Sequence, residues 1–295
     1  MKYNTIILKK QKLDRLLKNT NNRTVLFDWL RTELAYTSNA VEGNTLSRRE
    51  TALAINENIT SGAKPIKDYI EARNHADAFG FVLDSLERAA DKKLVLGIHK
   101  RILSGIDDAN AGAYRNVRVR ISGSAVVMPN HMKVPELMDD FFKWLTRPSR
   151  DAIAKAFDAH FRLVSIHPFI DGNGRTARLM MNFILMCGGF APVIVRPRDR
   201  KRYLDALENY QMTGDGAKYE KFMIAALSRS LSIALDVLGK DAPDARKMLT
   251  ISKFAAAADL PVSTIRHWVN IGKLKPAAYT ESGYMLFEPR QAKEL

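Results

Sequence analysis

"SIHPFIDGNGRTARLMMN", residues 165–182, sets a histidine, an aspartate, an asparagine between two glycines and two arginines in one short run. The apolar stripe before it, Ile153, Ala156, Phe157, His160, Phe161 and Val164, is helical in spacing. That helix must end at His167, because Pro168 pushes the preceding residue out of helical angles and towards extended ones. The imidazole is thereby expected at a helix end, free to face a cavity. Phe169 and Ile170 are apolar and anchor the loop, while Asp171 offers the hard oxygen that Mg²⁺ takes when phosphates complete its shell. Gly172, Asn173 and Gly174 give a backbone that a ligand can approach closely, and a new helix from about Arg175 would aim its first amides at an anion. Arg175 and Arg178 stand three apart, hence on one helix face, and each can fork onto phosphate oxygens. Singly, a histidine beside an apolar helix is a structural residue, "GNG" a tight turn and two arginines a solvated face. Together and in this order, they describe a site that transfers part of a nucleoside polyphosphate.

The rest of the chain fits a soluble protein with anionic partners. Its 295 residues exceed one ordinary domain, so a main domain and a smaller appended one are expected. The net charge of +14 points to nucleotide, nucleic acid or an acidic protein, without choosing among them. A single cysteine, Cys187, excludes a disulfide within a monomer and suits a reducing compartment. The opening "MKYNTIILKKQKLDRLL" has too short an apolar stretch for a signal peptide, and "LMMNFILMCGGFAPVIV" is interrupted by Asn182, Gly188, Gly189 and Pro192. A cytoplasmic protein with no membrane segment is expected.

Helical periodicity dominates the first four fifths of the sequence. Leu26, Leu30 and Leu34 form one stripe, "SRRE" at 47–50 is a capping box, and beyond Pro65 a long helix carries Tyr69, Ala72, Ala76, Phe79 and Leu83. The fold class expected is therefore all-α: a helical bundle divided into 1–95 and 96–238, with a small β-hairpin over the alternating stretch 117–129. "GKDAPDARK" near 240 reads as a linker, and 243–295 as a winged helix-turn-helix. In this last unit short helices are expected near 252–258 and 262–271, with a turn at Leu260-Pro261 and a wing hairpin around Ser282-Gly283.

"HPFIDGNGRTAR" fits, at every defined position, the motif H-x-F-x-(D/E)-G-N-G-R-x-x-R of the Fic family, which the chain resembles over roughly residues 25–235. "AGAYRNVRV" at 111–119 and the helix "LMMNFILMCGG" belong to the same resemblance, which is nearest the branch shared by bacteria and the eukaryotic endoplasmic-reticulum enzyme. The resemblance implies a protein adenylyltransferase that moves AMP from ATP to a Ser, Thr or Tyr hydroxyl and releases pyrophosphate. By the same resemblance, His167 would be the general base and Asp171 would hold Mg²⁺ on the α- and β-phosphates. The amides of Gly172, Asn173 and Gly174 would hold phosphates, with Asn173 also on the α-phosphate and Arg175 and Arg178 on the β- and γ-groups. Gly174 speaks against the phosphotransferring toxin branch, which has lysine there.

"TSNAVEGN", 37–44, matches the family's inhibitory motif (S/T)-x-x-x-E-(G/N) through Ser38, Glu42 and Gly43. The resemblance implies that Glu42 pairs with Arg178, which takes away a γ-phosphate partner and puts a negative charge where the nucleotide's anions belong. A helix end capped by Gly43 would explain the same residues and is compatible with that role. Some relatives use this glutamate to hydrolyse AMP from the modified target, so deAMPylation is an alternative. The 117–129 hairpin would be the flap that takes up a protein target by strand addition.

The tail resembles MerR-type and excisionase winged helices, with Arg266, His267 and Asn270 placed for DNA contact. It carries eight Lys/Arg against five Asp/Glu, a modest surplus for a DNA binder, and protein docking or homodimer formation stays open beside it. A DNA-bound regulator whose Fic domain only senses nucleotide is the reading from a different functional class.

Overall fold

A computed structural model describes residues 3–60, 64–121, 123–239, 248–279 and 285–293. Up to Val237 the described residues form α1 (Asn4–Leu16), α2 (Thr20–Val41), α3 (Arg48–Asn56), α4 (Ile66–Asp84) and α5 (Lys92–Leu103), followed by α6 (Val134–Leu145), α7 (Ala152–Ile166), α8 (Asn173–Cys187), α9 (Arg200–Thr213) and α10 (Ala217–Val237). Local chemistry sets many of the ends. Asn19, Asp91 and Asp151 each accept an otherwise orphan amide at the start of α2, α5 and α7. The capping box of α3 is formed in both directions, Ser47 Oγ accepting from the Glu50 amide and the Glu50 carboxylate from the Ser47 amide. α2 stops where Gly43 turns to φ +100°, a region that disfavours any side chain.

α8 lies at the centre. Twelve of its fifteen residues are buried, and it packs against α7, α5, α4 and α2. A helix covered on all sides belongs inside a core rather than on its surface. That core is continuous from Ile6 of α1 to Leu238 just after α10. The division expected at 95/96 is therefore not a packing boundary: it cuts α5, whose Leu94, Val95 and Ile98 belong to the same core. Each such side chain contributes about 1.5–3 kcal/mol by burial, so the two halves have no seam at which to part.

The expected hairpin over 117–129 is not a β-ladder. Among the described residues of this stretch there is no strand, only a turn closed by the Ser124 amide on Ile121 O (3.2 Å). The alternating pattern yields two arms that form no ladder among the described residues, because alternation favours extended backbone while a ladder needs a partner in register. Two side chains fix their course. Arg115 donates NH1 to Val117 O and NH2 to Pro129 O at the base, and Glu208 of α9 accepts from Ser124 Oγ and the Ala125 amide at the tip.

The C-terminal unit has its own small core of Phe254, Ala255, Ile265, Leu274 and Phe287. β1 (Leu249–Thr250) leads into α11 (Ile251–Ala257) and α12 (Val262–Asn270); β2 (Ala278–Tyr279), β3 (Met285–Phe287) and α13 (Pro289–Lys293) follow. β3 pairs antiparallel with both other strands. The expected linker core and the tip of the expected wing, Ser282-Gly283, lie outside the described residues. Among the described residues, no helix is long and apolar enough to cross a membrane.

Candidate active site

The end of α7, the loop 167–172 and the start of α8 bring the motif together. His167 departs from the extended angles expected of it and takes left-handed ones, φ 51° and ψ 58°. Pro168 closes the ordinary helical region to it, and the left-handed turn lets its amide bond back to Leu163 O (3.0 Å), ending α7 with a satisfied carbonyl. Its own carbonyl accepts from Arg115 Nε (2.7 Å), and the Arg115 amide donates to Pro168 O (2.8 Å). Arg115, a buried residue that sequence reading passed over, thus ties both arms of 117–129 to the histidine loop.

The ring of His167 is oriented by one contact, Nδ1 to Val164 O at 3.3 Å. A carbonyl only accepts, so the neutral ring carries its proton on Nδ1 and keeps the Nε2 lone pair as a base. Burial pushes the pKa of His167 below its usual value, and Arg115 adds to this against the pull of the Val164 carbonyl. The imidazole is therefore neutral at pH 7.

Asp171 is half exposed, at 52% of its side chain. Burial pulls its pKa up, but Arg175, the Gly172 amide and Lys67 outweigh that and hold it below the carboxylate range. Its Oδ1 faces Gly172 N and Arg175 NH2, while Oδ2 has only Lys67 at 3.9 Å. Among the described residues no three His, Cys, Asp or Glu cluster as for an all-protein metal cage. A lone ionised carboxylate with one open oxygen fits Mg²⁺ carried in with a substrate's phosphates.

The loop is braced from below by His99 of α5. Its ring stacks on Phe169 at 3.6 Å, its Nδ1 accepts from the Gly112 amide (2.9 Å), and its Nε2 meets Asp171 O (3.0 Å). An amide can only donate and a carbonyl only accept, so the tautomer is fixed with the proton on Nε2. Burial chiefly lowers the pKa of His99 to about 4, which keeps it neutral. Gly172 (φ +74°) sits so near that a Cβ would come 3.1 Å from Ile102 Cγ2.

Two motif side chains do not point where the sequence suggested. Asn173 is 3% exposed, and its amide group makes both a donor and an acceptor bond to the backbone of Phe169 (2.9 Å each). It staples the loop and leaves the anion role to the backbone. Arg175 is 2% exposed, with NH1 on Glu71 Oε1 of α4 (2.9 Å) and NH2 on Asp171 Oδ1 (3.3 Å). Held this way it orients the Asp171 carboxylate rather than reaching outward. Glu71 itself is a residue the sequence reading missed; its other oxygen accepts from Asn44 Nδ2 (2.9 Å), the last residue of the 37–44 segment.

Arg178 is the arginine that meets that segment. Its Nε donates to Ser38 Oγ (3.0 Å), and its NH2 donates to Ser38 O (3.0 Å) and to Glu42 Oε1 (2.7 Å). The Glu42 carboxylate lies over Gly174, occupying the place a Cβ would take there, with Arg178 NH1 beside it. An acid thus covers the amide-rich start of α8, where a phosphate would bind. The last carbonyls of α2 are all partnered: Ser38 O by Arg178, Asn39 O and Ala40 O by the amides that follow, and Val41 O by Arg200 Nε (2.6 Å). In the C-terminal unit Arg266, His267 and Asn270 are all exposed on α12.

Comparison with known proteins agrees with this geometry. Residues 89–185 match the model of the Fic/DOC family, and residues 250–287 that of the MerR family regulatory proteins. Protein adenylyltransferase Fic of Nematostella vectensis is 34% identical over 206 residues, 68% of this chain and 48% of the relative. The chain thus spans about half the length of that curated relative. Among solved structures, Fic-1 of Caenorhabditis elegans is 28% identical with a TM-score of 0.70, over 80% of this chain and 71% of that one. A Fic domain containing signaling protein from Bacteroides thetaiotaomicron shares the fold at 24% identity and a TM-score of 0.72, over 81% of this chain and 97% of that one. With the motif, the fold and the relatives in agreement, the chain is a member of the Fic family that carries a MerR-like unit at its C-terminal end.

Proposed function

We propose that this protein transfers AMP from ATP to a hydroxyl of a protein target, itself included, and that Glu42 holds the resting enzyme back. The observation that carries the reading is the carboxylate of Glu42 on Arg178 above Gly174, seven residues along the chain from a histidine whose Nε2 is left as a base. Polyphosphate oxygens would lie on the first amides of α8 and on Arg178. A magnesium ion, held by Asp171 and the substrate's phosphates, would draw charge from the departing pyrophosphate. His167 Nε2 takes the proton of the target hydroxyl as that oxygen bonds to the α-phosphorus and the bond to the β-phosphate oxygen breaks. The arms at 117–129, which form no ladder among the described residues, expose Val117 and Val127, the latter at 90%, and suit an extended target segment added as a strand.

A second reading draws on Glu42 Oε2, which makes no hydrogen bond among the described residues. With Oε1 fixed on Arg178, that oxygen could orient a water for the reverse removal of AMP. The MerR-like unit would then choose location, by DNA or by protein, and the exposed Arg266, His267 and Asn270 are the contacts we assign to DNA.

Incubation with α-labelled ATP and Mg²⁺ tests the first reading. Glu42→Gly should raise self-labelling by roughly 5–150-fold, the range of one coupling contact, and adding His167→Ala should return it to background. Label that survives loss of His167 would remove the catalytic assignment.

A further inference from the structure

One buried side chain joins the histidine loop to the arms where a target would dock. Arg115, 3% exposed, donates Nε to His167 O (2.7 Å), NH1 to Val117 O (3.0 Å) and NH2 to Pro129 O (2.7 Å). A guanidinium is planar and carries its donors in a fixed fork, so three carbonyl oxygens bonded to one such group are locked in position relative to one another. The base of each arm and the backbone of the histidine thereby move as one unit. At the other end Glu208 Oε1 accepts from Ser124 Oγ (2.9 Å) and from the Ala125 amide (2.8 Å), so the arms are pinned at tip and base alike.

This hitch is separable from what holds the imidazole. The His167 amide donates to Leu163 O (3.0 Å), and its Nδ1 donates to Val164 O (3.3 Å). Pro168 O takes the Arg115 amide (2.8 Å), a backbone bond that any residue at 115 other than proline would keep. His99 braces the far end of the loop on its own, through Asp171 O (3.0 Å). Loss of the guanidinium therefore frees the arms from the loop while the ring keeps its orienting contacts. Transfer to a docked hydroxyl needs arms and imidazole in register, whereas attack by water needs the imidazole alone. We infer that Arg115 is a positioning residue for the target: with Glu208 steadying the tip, it sets where a hydroxyl carried on the arms meets His167 Nε2. This rests on the transfer reading of the site given above.

The test follows two fates of AMP in one tube. In full-length Glu42→Gly with α-labelled ATP and Mg²⁺, label on the protein reports transfer to its own hydroxyls. Free labelled AMP reports hydrolysis, in which water bonds to the α-phosphorus, pyrophosphate leaves and the water's proton passes to His167 Nε2. Glu42→Gly also lacks the carboxylate assigned to the reverse reaction, so free AMP there comes from ATP directly. Adding Arg115→Lys, which keeps the charge and loses the fork, should lower protein-bound label by about 10- to 100-fold, the cost of a displacement of about 1 Å. Free AMP should fall by less than about threefold, with ATP affinity by calorimetry within about twofold, because base and phosphate contacts stay in place. A merely structural arginine would lower both products in proportion, and an unmoved ratio of bound to free label overturns the proposal. Glu208→Ala, which frees the tip and leaves the histidine loop untouched, should shift the ratio the same way more weakly. It decides the matter if Arg115→Lys does not fold, an unmoved ratio again overturning the proposal. Absence of protein-bound label from Glu42→Gly itself, with ATP still bound, overturns the transfer reading, and the role of Arg115 with it.

Discussion

Arg178 in the bundle and Arg266 in the C-terminal unit are both motif arginines, and they are treated in opposite ways. Arg178 has 5% of its side chain exposed and donates to Ser38 and Glu42 at the end of α2, whereas Arg266 is exposed and makes no hydrogen bond or ion pair among the described residues. Burial makes the first position informative: a desolvated cation persists only where neighbours are arranged for it, so those neighbours report what the site expects. An exposed arginine carries no such record, and its partner must be sought outside the chain. Most of the charge surplus follows the bundle, too, since residues 243–295 contribute only three of the fourteen excess positive charges.

The contrast breaks most easily at Glu71. Glu71→Ala leaves the buried Arg175 with only the half-exposed Asp171 carboxylate at 3.3 Å, and chemical denaturation should show a loss of roughly 3 kcal/mol, the penalty for breaking a buried ion pair. A loss below about 1 kcal/mol would mean that the interior arginines are as loosely held as the surface ones. Arg200→Ala probes the brake without touching the motif. A cation on a helix's last carbonyl contributes about 0.3–1 kcal/mol, so its removal should raise the labelling rate of the otherwise unaltered protein by about two- to fivefold. The pH dependence sharpens the account of His167. Its folded pKa is depressed, so the base remains deprotonated below the ordinary histidine value; the acid limb of kcat/KM for Glu42→Gly should fall below pH 6.5. A limb above that value would contradict the buried imidazole. On the exposed side the effect should be smallest. Arg266→Ala should move stability by less than about 0.5 kcal/mol, and should lower the salt slope of binding to DNA fragments by about one if it meets a phosphate. A folded unit whose retention on DNA ignores Arg266 and salt alike would direct attention to protein docking.

Local signals in the sequence translated well into local structure. The capping box at Ser47 and Glu50, the apolar stripes of α2, α4 and α7, and the glycine after Glu42 each involve neighbours within one or two turns, where spacing and geometry are the same thing. The motif, likewise, announces its chemistry because its residues lie on one loop and one helix. What escaped was the support. Glu71 reaches Arg175 from 104 positions away, Arg115 reaches His167 from 52, His99 reaches Asp171 from 72, and Tyr203 reaches His160 from 43. No periodicity encodes such pairings. His160 even read as part of an apolar stripe, which its burial justifies and its two hydrogen bonds qualify. The arms at 117–129 failed for the opposite reason: alternation was present, but the two arms do not pair with each other among the described residues.

The length of α2 has a mechanical consequence. Its 22 residues make a rod of about 33 Å, with Glu42 at one tip and the chain's opening segment attached to the other. Swung about its distant end, such a rod carries the tip about 3 Å for each 5° of tilt, enough to part a carboxylate from a guanidinium. A small rotation of α2 about its first turn is therefore enough to separate Glu42 from Arg178.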